Sequence, residues 1–168
     1  MKTKNIILIF LVVVLFYSCI NFKLSLKKVP YKGNEIKING YYYVKTYIGT
    51  EKKLYANVFF LYSNGVIINT GGYRINEDEE KFRKNITNGY NISVTKKYQY
   101  NYGLFQISDS IIKVEKWVTG NGGIPKSIFK QGKILNDTTF YLTIKNKKEI
   151  YHFKQYSPKP DSTNKFIK

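Results

Sequence analysis

Cysteine, histidine, tryptophan and methionine occur once each in this chain of 168 residues. A single cysteine excludes any disulfide within the chain, so the fold has to rest on a buried core. One cysteine and one histidine also fall short of the several ligands that a zinc site requires. Acidic residues are scarce, 11 against 28 lysines and arginines. Many of those acids lie in one cluster, Glu77–Glu80, or in turns, so no carboxylate pair stands out for glycoside chemistry. No Gly-x-Ser-x-Gly elbow supports a serine nucleophile. Gly120-Asn121-Gly122-Gly123 lacks the Gly-Lys-Ser/Thr ending of a phosphate-cradling loop and reads as a connection between strands. His152 reads either as a general base or as a surface strand residue, with Ile150 and Lys154 on its face and Tyr151 and Phe153 opposite. Neither a catalytic group nor a cofactor or metal site follows from these residues.

What is present begins at the N-terminus. Lys2 and Lys4 precede the unbroken apolar run Ile6–Tyr17, which Ser18 and Cys19 close. The run is shorter than the roughly 20 apolar residues of a membrane-spanning helix. A charged start, an apolar centre and a small residue at the end are the layout of a secretory signal. The sequence Leu15-Phe16-Tyr17-Ser18-Cys19 resembles the lipobox of bacterial lipoproteins, although Phe16 and Tyr17 are bulkier than the usual pattern. The resemblance implies cleavage before Cys19, a diacylglycerol thioether on its sulfur and an acylated amine. An ordinary signal peptide or an uncleaved anchor is the alternative. Ile20-Asn21-Phe22-Lys23 has neither an Asp after the cysteine nor an acidic cluster. By the same resemblance, that implies an outer-membrane tether facing the periplasm.

Losing Lys2 and Lys4 with residues 1–18 lowers the formal charge of +17 by two. A basic protein attracts anionic lipid, acidic glycan or nucleic acid. These lysines are spread along the chain, which points to no specific nucleic-acid partner. Residues 19–35 read as a lipidated tether leading into a domain at 36–156. Residues 157–168, with Pro158 and Pro160, read as a polar tail outside any central strand.

Within 36–156, short aromatic and β-branched runs alternate with turn residues, which predicts eight strands. They are centred on 38–47, 54–62, 66–70, 100–107, 111–118, 127–135, 139–144 and 150–156. Asn64-Gly65, Asp109-Ser110 and Asn136-Asp137 mark hairpin turns, since these residue types tolerate positive φ. Asn76 followed by Glu77–Glu80 predicts an N-capped short helix between the third and fourth strands, ended by Asn88-Gly89. The expected fold is all-β, an eight-stranded antiparallel meander closing into a barrel, with a β-sandwich as the alternative. Gly40-Tyr41-Tyr42 in the opening strand is similar to the Gly-x-Trp of lipocalins, with Tyr42 in place of tryptophan. The whole layout resembles the small, uncharacterised lipoproteins of Gram-negative bacteria.

The 16 tyrosines and 11 phenylalanines either fill such a barrel or line a ligand cavity. Alternation turns Tyr42, Phe60, Tyr102, Phe140, Tyr151 and Phe153 inward, and Trp117 beside the glycine loop reads as a rim contact. A one-residue slip in register reverses every face. Asp109-Ser110-Ile111, Asp137-Thr138-Thr139 and Asp161-Ser162-Thr163 resemble bacterial O-glycosylation triplets, with Ser110, Thr138 and Ser162 as acceptors; local turn chemistry explains them equally. Asn85, Asn91 and Asn136 open N-x-Ser/Thr sequons, relevant only to a eukaryotic chain. The functional expectation is a non-enzymatic, lipid-anchored envelope protein that binds a small apolar ligand or a protein partner. An envelope hydrolase and a structural accessory subunit are the alternatives.

Overall fold

The computed structural model describes residues 23–48, 53–74, 84 and 97–168. Eight strands run in chain order: β1 Gly40–Ile48, β2 Lys53–Leu61, β3 Val66–Arg74, β4 Tyr102–Ser108, β5 Ile111–Thr119, β6 Pro125–Asn136, β7 Thr139–Ile144 and β8 Lys147–Gln155. Each pairs antiparallel with the next, and β8 returns to β1, so the meander is a closed barrel. Of the stretch predicted as a helix, Asn76–Gly89, only Lys84 is among the described residues, and it is helical.

Local chemistry explains the hairpins. Asp109 and Ser110 both take positive φ, 51° and 65°, as do Lys145 and Asn146, 45° and 65°. Two successive left-handed residues give the primed turn whose twist matches its flanking strands. Asn136 folds its own turn by accepting hydrogen bonds from the Thr138 backbone N–H and hydroxyl. Two strands are longer than their apolar runs. β3 continues through Gly71, at φ 87°, where a bulge opposite β2 takes up one extra residue. β8 starts at Lys147 because the polar turn before it needs only Lys145 and Asn146.

The barrel interior is one cluster to which every strand contributes, among them Tyr42, Phe59, Ile67, Phe105, Ile112, Ile134, Phe140 and Tyr151. One end is closed. Ile36 is buried there, Tyr31 sets its ring 5.7 Å from Phe105, and the Tyr42 hydroxyl donates to the Lys37 and Asp137 carbonyls. The exposed Lys37–Asp137 ion pair at 3.0 Å adds little. At the opposite end, the mouth, β1, β3, β5 and β7 finish, and the turns at 120–124 and 145–146 lie there.

A second core lies outside the barrel wall. Tyr41, Phe60 and Tyr156 form a triangle of rings 5.8–5.9 Å apart, edge to face. Val58, Ile68, Tyr102 and Trp117 extend this layer, and the chain's two ends cover it with Leu24, Leu26, Phe166 and Ile167. Phe60 and Tyr102 therefore face outward, which corrects the inward expectation. The alternation rule fails here because β1–β4 are buried on both faces, so the apolar runs contrast no polar side. Residues 23–35 and the tail lie against the barrel as covering segments. Lys159 pins the tail by donating to the Ile38 and Leu61 carbonyls, both at 2.6 Å, above the Tyr62 ring. The Tyr62 hydroxyl in turn donates to the Pro160 carbonyl.

Gly132 shows how tightly the strands approach. A Cβ at this position would sit 1.6 Å from the Tyr141 carbonyl oxygen, a backbone atom that cannot swing away. Gly132→Ala is expected to part β6 from β7 and cost about 1–3 kcal/mol of stability in denaturant titration. A variant as stable as the parent would show that the two strands have room to spare.

Candidate functional site

Inward positions along β5 read Ile112, Val114 and then Lys116, so the last one carries charge into the barrel. The same happens on β6, where Lys130 shares the face of Gly132 and Ile134, and on β8, where Glu149 shares that of Tyr151. These three side chains converge in the mouth half. Lys130 Nζ lies 3.8 Å from Glu149 Oε2, with the two side chains 11% and 36% exposed. The Tyr151 hydroxyl donates to the same oxygen at 3.0 Å. Lys116 Nζ stands 5.4 Å from the centre of the Phe59 ring. Two ammonium groups thus face one carboxylate, an excess of positive charge in a partly desolvated space.

Burial sets the proton affinities. It pushes the Lys116 amine down to about 8; the Lys130 charge lowers it further, and Glu149 offsets part of the effect. Burial lowers Lys130 as well, against the pull of Glu149. The Tyr151 hydroxyl is raised by burial and then by the neighbouring Glu149 charge.

Beneath the charges lies an aromatic tier. Phe59, Tyr151 and Phe140 stack with centroids 5.0 and 5.1 Å apart and planes 13° from parallel. Below it, Tyr42, Leu61, Phe105 and Ile112 fill the barrel toward the closed end. Two amides border the mouth half. Asn57 faces Val44 across the ladder, and its buried Oδ1 has no partner among the described residues. Asn69 is 8% exposed and accepts the Gly71 N–H.

A side opening reaches this group. β1 and β8 pair only between Gly40–Tyr43 and His152–Gln155. Above those four pairs they diverge around a cleft of about 530 Å³, lined in part by Val44, Thr46, Lys148, Glu149 and His152. Glu149 belongs both to this cleft and to the interior cluster. Chemically, the arrangement suits an anionic head on the lysines and an aliphatic body along the β1–β8 cleft.

Of the candidate ligand contacts Tyr42, Phe60, Tyr102, Trp117, Tyr151 and Phe153, Tyr151 alone hydrogen-bonds this charged group. Tyr42 and Phe153 are inside, but nearer the closed end and 5.4 Å from each other. Phe60, Tyr102 and Trp117 lie in the outer core, so Trp117 is no rim residue of the barrel interior. Lys116, Lys130 and Glu149 were missed, although carrying the Ile112–Val114 alternation two residues further finds the first of them. His152 is exposed, with its ring 6.0 Å from Tyr43. Gly120 to Gly123 form a short turn at the mouth, with Gly122 and Gly123 at positive φ.

The three glycosylation-like triplets collect at the closed end. Ser110 is exposed in the β4–β5 turn. The Thr138 hydroxyl is held by Asn136, and the Ser162 hydroxyl accepts the side-chain amide of Asn64 in the β2–β3 turn. Cys19, Glu77–Glu80, Asn85 and Asn91 lie outside the described residues. Among the described residues no three His, Cys, Asp or Glu side chains group for a metal, and no helix is long and apolar enough to cross a membrane. Comparison with known protein families, curated proteins and solved structures returns no match.

Proposed function

We propose that this is a non-enzymatic protein of the cell envelope, tethered through lipidated Cys19 to the outer membrane on its periplasmic side, whose barrel mouth takes a small amphiphilic ligand. The single observation that carries the ligand assignment is Lys116 and Lys130 sharing one carboxylate above the Phe59–Tyr151–Phe140 stack. Because aromatic and aliphatic side chains fill the lower barrel, the ligand is not a deeply buried apolar molecule. It is one whose anionic end meets the lysines while its apolar part lies along the β1–β8 cleft, since Phe59, Phe140 and Tyr151 are fully covered. Small-molecule sites are built in this way, from apolar walls with a few oriented polar groups. A hydrolase would have to use Glu149 and His152 at the same cleft, yet they point to opposite faces of β8. The tether is supported by the apolar run ending in Ser18-Cys19.

Thermal melts of the unlipidated protein test the ligand reading. A medium-chain fatty acid is expected to raise the melting temperature by several degrees at concentrations well above its dissociation constant, since a hundredfold excess is worth about 2.7 kcal/mol. The alcohol of equal chain length should do far less. The double variant Lys116→Met, Lys130→Met should lose the difference. Equal stabilisation by acid and alcohol, or none by either, would overturn the assignment. Intact-mass measurement of the protein from native membranes tests the tether separately. The expected product begins at Cys19 and carries acyl chains.

A further inference from the structure

The two chain ends that cover the outer core also build a charged rim. Leu24 and Leu26 turn toward the barrel, while Lys23 before them and Lys27 and Lys28 after them are exposed. On the other side Phe166 and Ile167 turn inward, and Lys165 and Lys168 are exposed. Between these segments lies a depression of about 900 Å³ with an apolar floor that includes Leu104 and Trp117, and its lining contains five lysines and no acid. Glu115, the carboxylate next to Trp117, is buried at 1% exposure and accepts the Leu26 N–H at 2.7 Å. Trp117 is 3% exposed, and its indole Nε1 has no hydrogen-bond partner among the described residues.

We infer that this lysine-rimmed apolar face docks on an anionic bilayer surface. Two observations point to a membrane as its occupant. The first is charge: a single-sign rim around an apolar floor matches a plane of anionic headgroups above acyl chains. The second is chain length. Lys23 follows Cys19 by four residues, and an extended chain spans at most about 3.6 Å per residue. The Lys23 Cα therefore lies within about 14 Å of the Cys19 Cα. The inference rests on the anchored reading only for that proximity. Docked in this way, the barrel lies against the bilayer.

The test uses the unlipidated protein from residue 19 onward with Cys19→Ser, which keeps every described residue, and vesicles of phosphatidylcholine with or without phosphatidylglycerol. The single tryptophan of the chain is packed beneath this floor, so its emission reports on how the covering segments sit. Sedimentation with phosphatidylglycerol vesicles and a change in Trp117 emission are expected, with neither on phosphatidylcholine alone and both reversed by high salt. The triple variant Lys27→Glu, Lys28→Glu, Lys165→Glu should bind at least about tenfold more weakly, since each lysine near such a surface contributes about fivefold. The pair Lys113→Glu, Lys133→Glu, outside this lining, should bind like the parent at an unchanged melting temperature. Equal binding to both vesicle types, no binding to either, or equal weakening by both variants would overturn the inference. No acyl chain is present in this assay, so an unmodified Cys19 in native protein would remove the tether and leave the vesicle result standing.

Discussion

Replacing Phe59 by alanine is expected to lower the unfolding free energy by about 3–5 kcal/mol, the range for truncating a fully buried phenylalanine. Its ring is entirely covered and forms the outer member of the Phe59–Tyr151–Phe140 stack. Removing it creates a cavity that the flanking strands cannot close, because β2 is held by β1 on one side and β3 on the other. It also takes away the ring that Lys116 Nζ faces, which leaves that ammonium with less compensation for its burial. Phe59→Leu keeps most of the volume and should cost less than about half as much. Urea titrations of both variants at neutral pH measure the difference. A loss below about 1 kcal/mol for the alanine variant would mean that the stack is not part of the cooperative core.

Stability should peak near pH 9–10, an unusually alkaline optimum. Lys116 is held near 8 in the folded protein, against an ordinary value of 10.5. Below pH 8 it is protonated in both states, and the cost of burying the charge is fully present. Between pH 8 and 10.5 the folded protein has released a proton that the unfolded chain still holds, so the unfolding free energy rises with pH. The gain approaches about 2–3 kcal/mol for this one group. Lys159 is lowered to about 8 by burial as well. Its two carbonyl partners and the Tyr62 ring favour the ammonium, so its share is smaller. The tyrosines act in the opposite direction. Burial raises Tyr42, Tyr62 and Tyr151 well above 10, so above pH 10 only the unfolded chain loses these protons and stability falls. Urea midpoints across pH 7–11 should trace this dome. Lys116→Met should flatten its rising side and leave the falling side in place. A profile that declines steadily from pH 7 would show that Lys116 is solvated as an ordinary surface lysine.

Much of the barrel was legible because hairpin chemistry is local. Gly65 and Asp109-Ser110 turn through positive φ, which few residue types accept, Asn136 turns through its side-chain hydrogen bonds to Thr138, and the strands follow between them. Which way a side chain faces is not local. Along Val58-Phe59-Phe60-Leu61 every residue is apolar, and the pattern gives no clue that Phe59 lies inside while Phe60 lies outside. That distinction depends on Leu24, Leu26, Phe166 and Ile167, more than 30 residues away from it in sequence, covering the outer wall. The charged site was hidden for a related reason. Lysine and glutamate at strand ends ordinarily mark solvent, and only closure of the barrel turns Lys116, Lys130 and Glu149 toward one another.

The joint between β1 and β8 has a consequence for how the chain reaches this state. It matches Gly40–Tyr43 with His152–Gln155, the earliest and latest strands to be synthesised. Every other contact of the ladder forms between sequence neighbours, so hairpins can zip as they emerge, but the cylinder stays an open, curling ribbon until the final strand is free. A chain growing from its N-terminus, or threading through a pore in that direction, thus reaches its end still unsealed. Its last step is then a single ring closure, and the entropy of joining ends more than 100 residues apart is met by four ladder pairs together with the Tyr41–Tyr156 and Lys159–Ile38 contacts beside them.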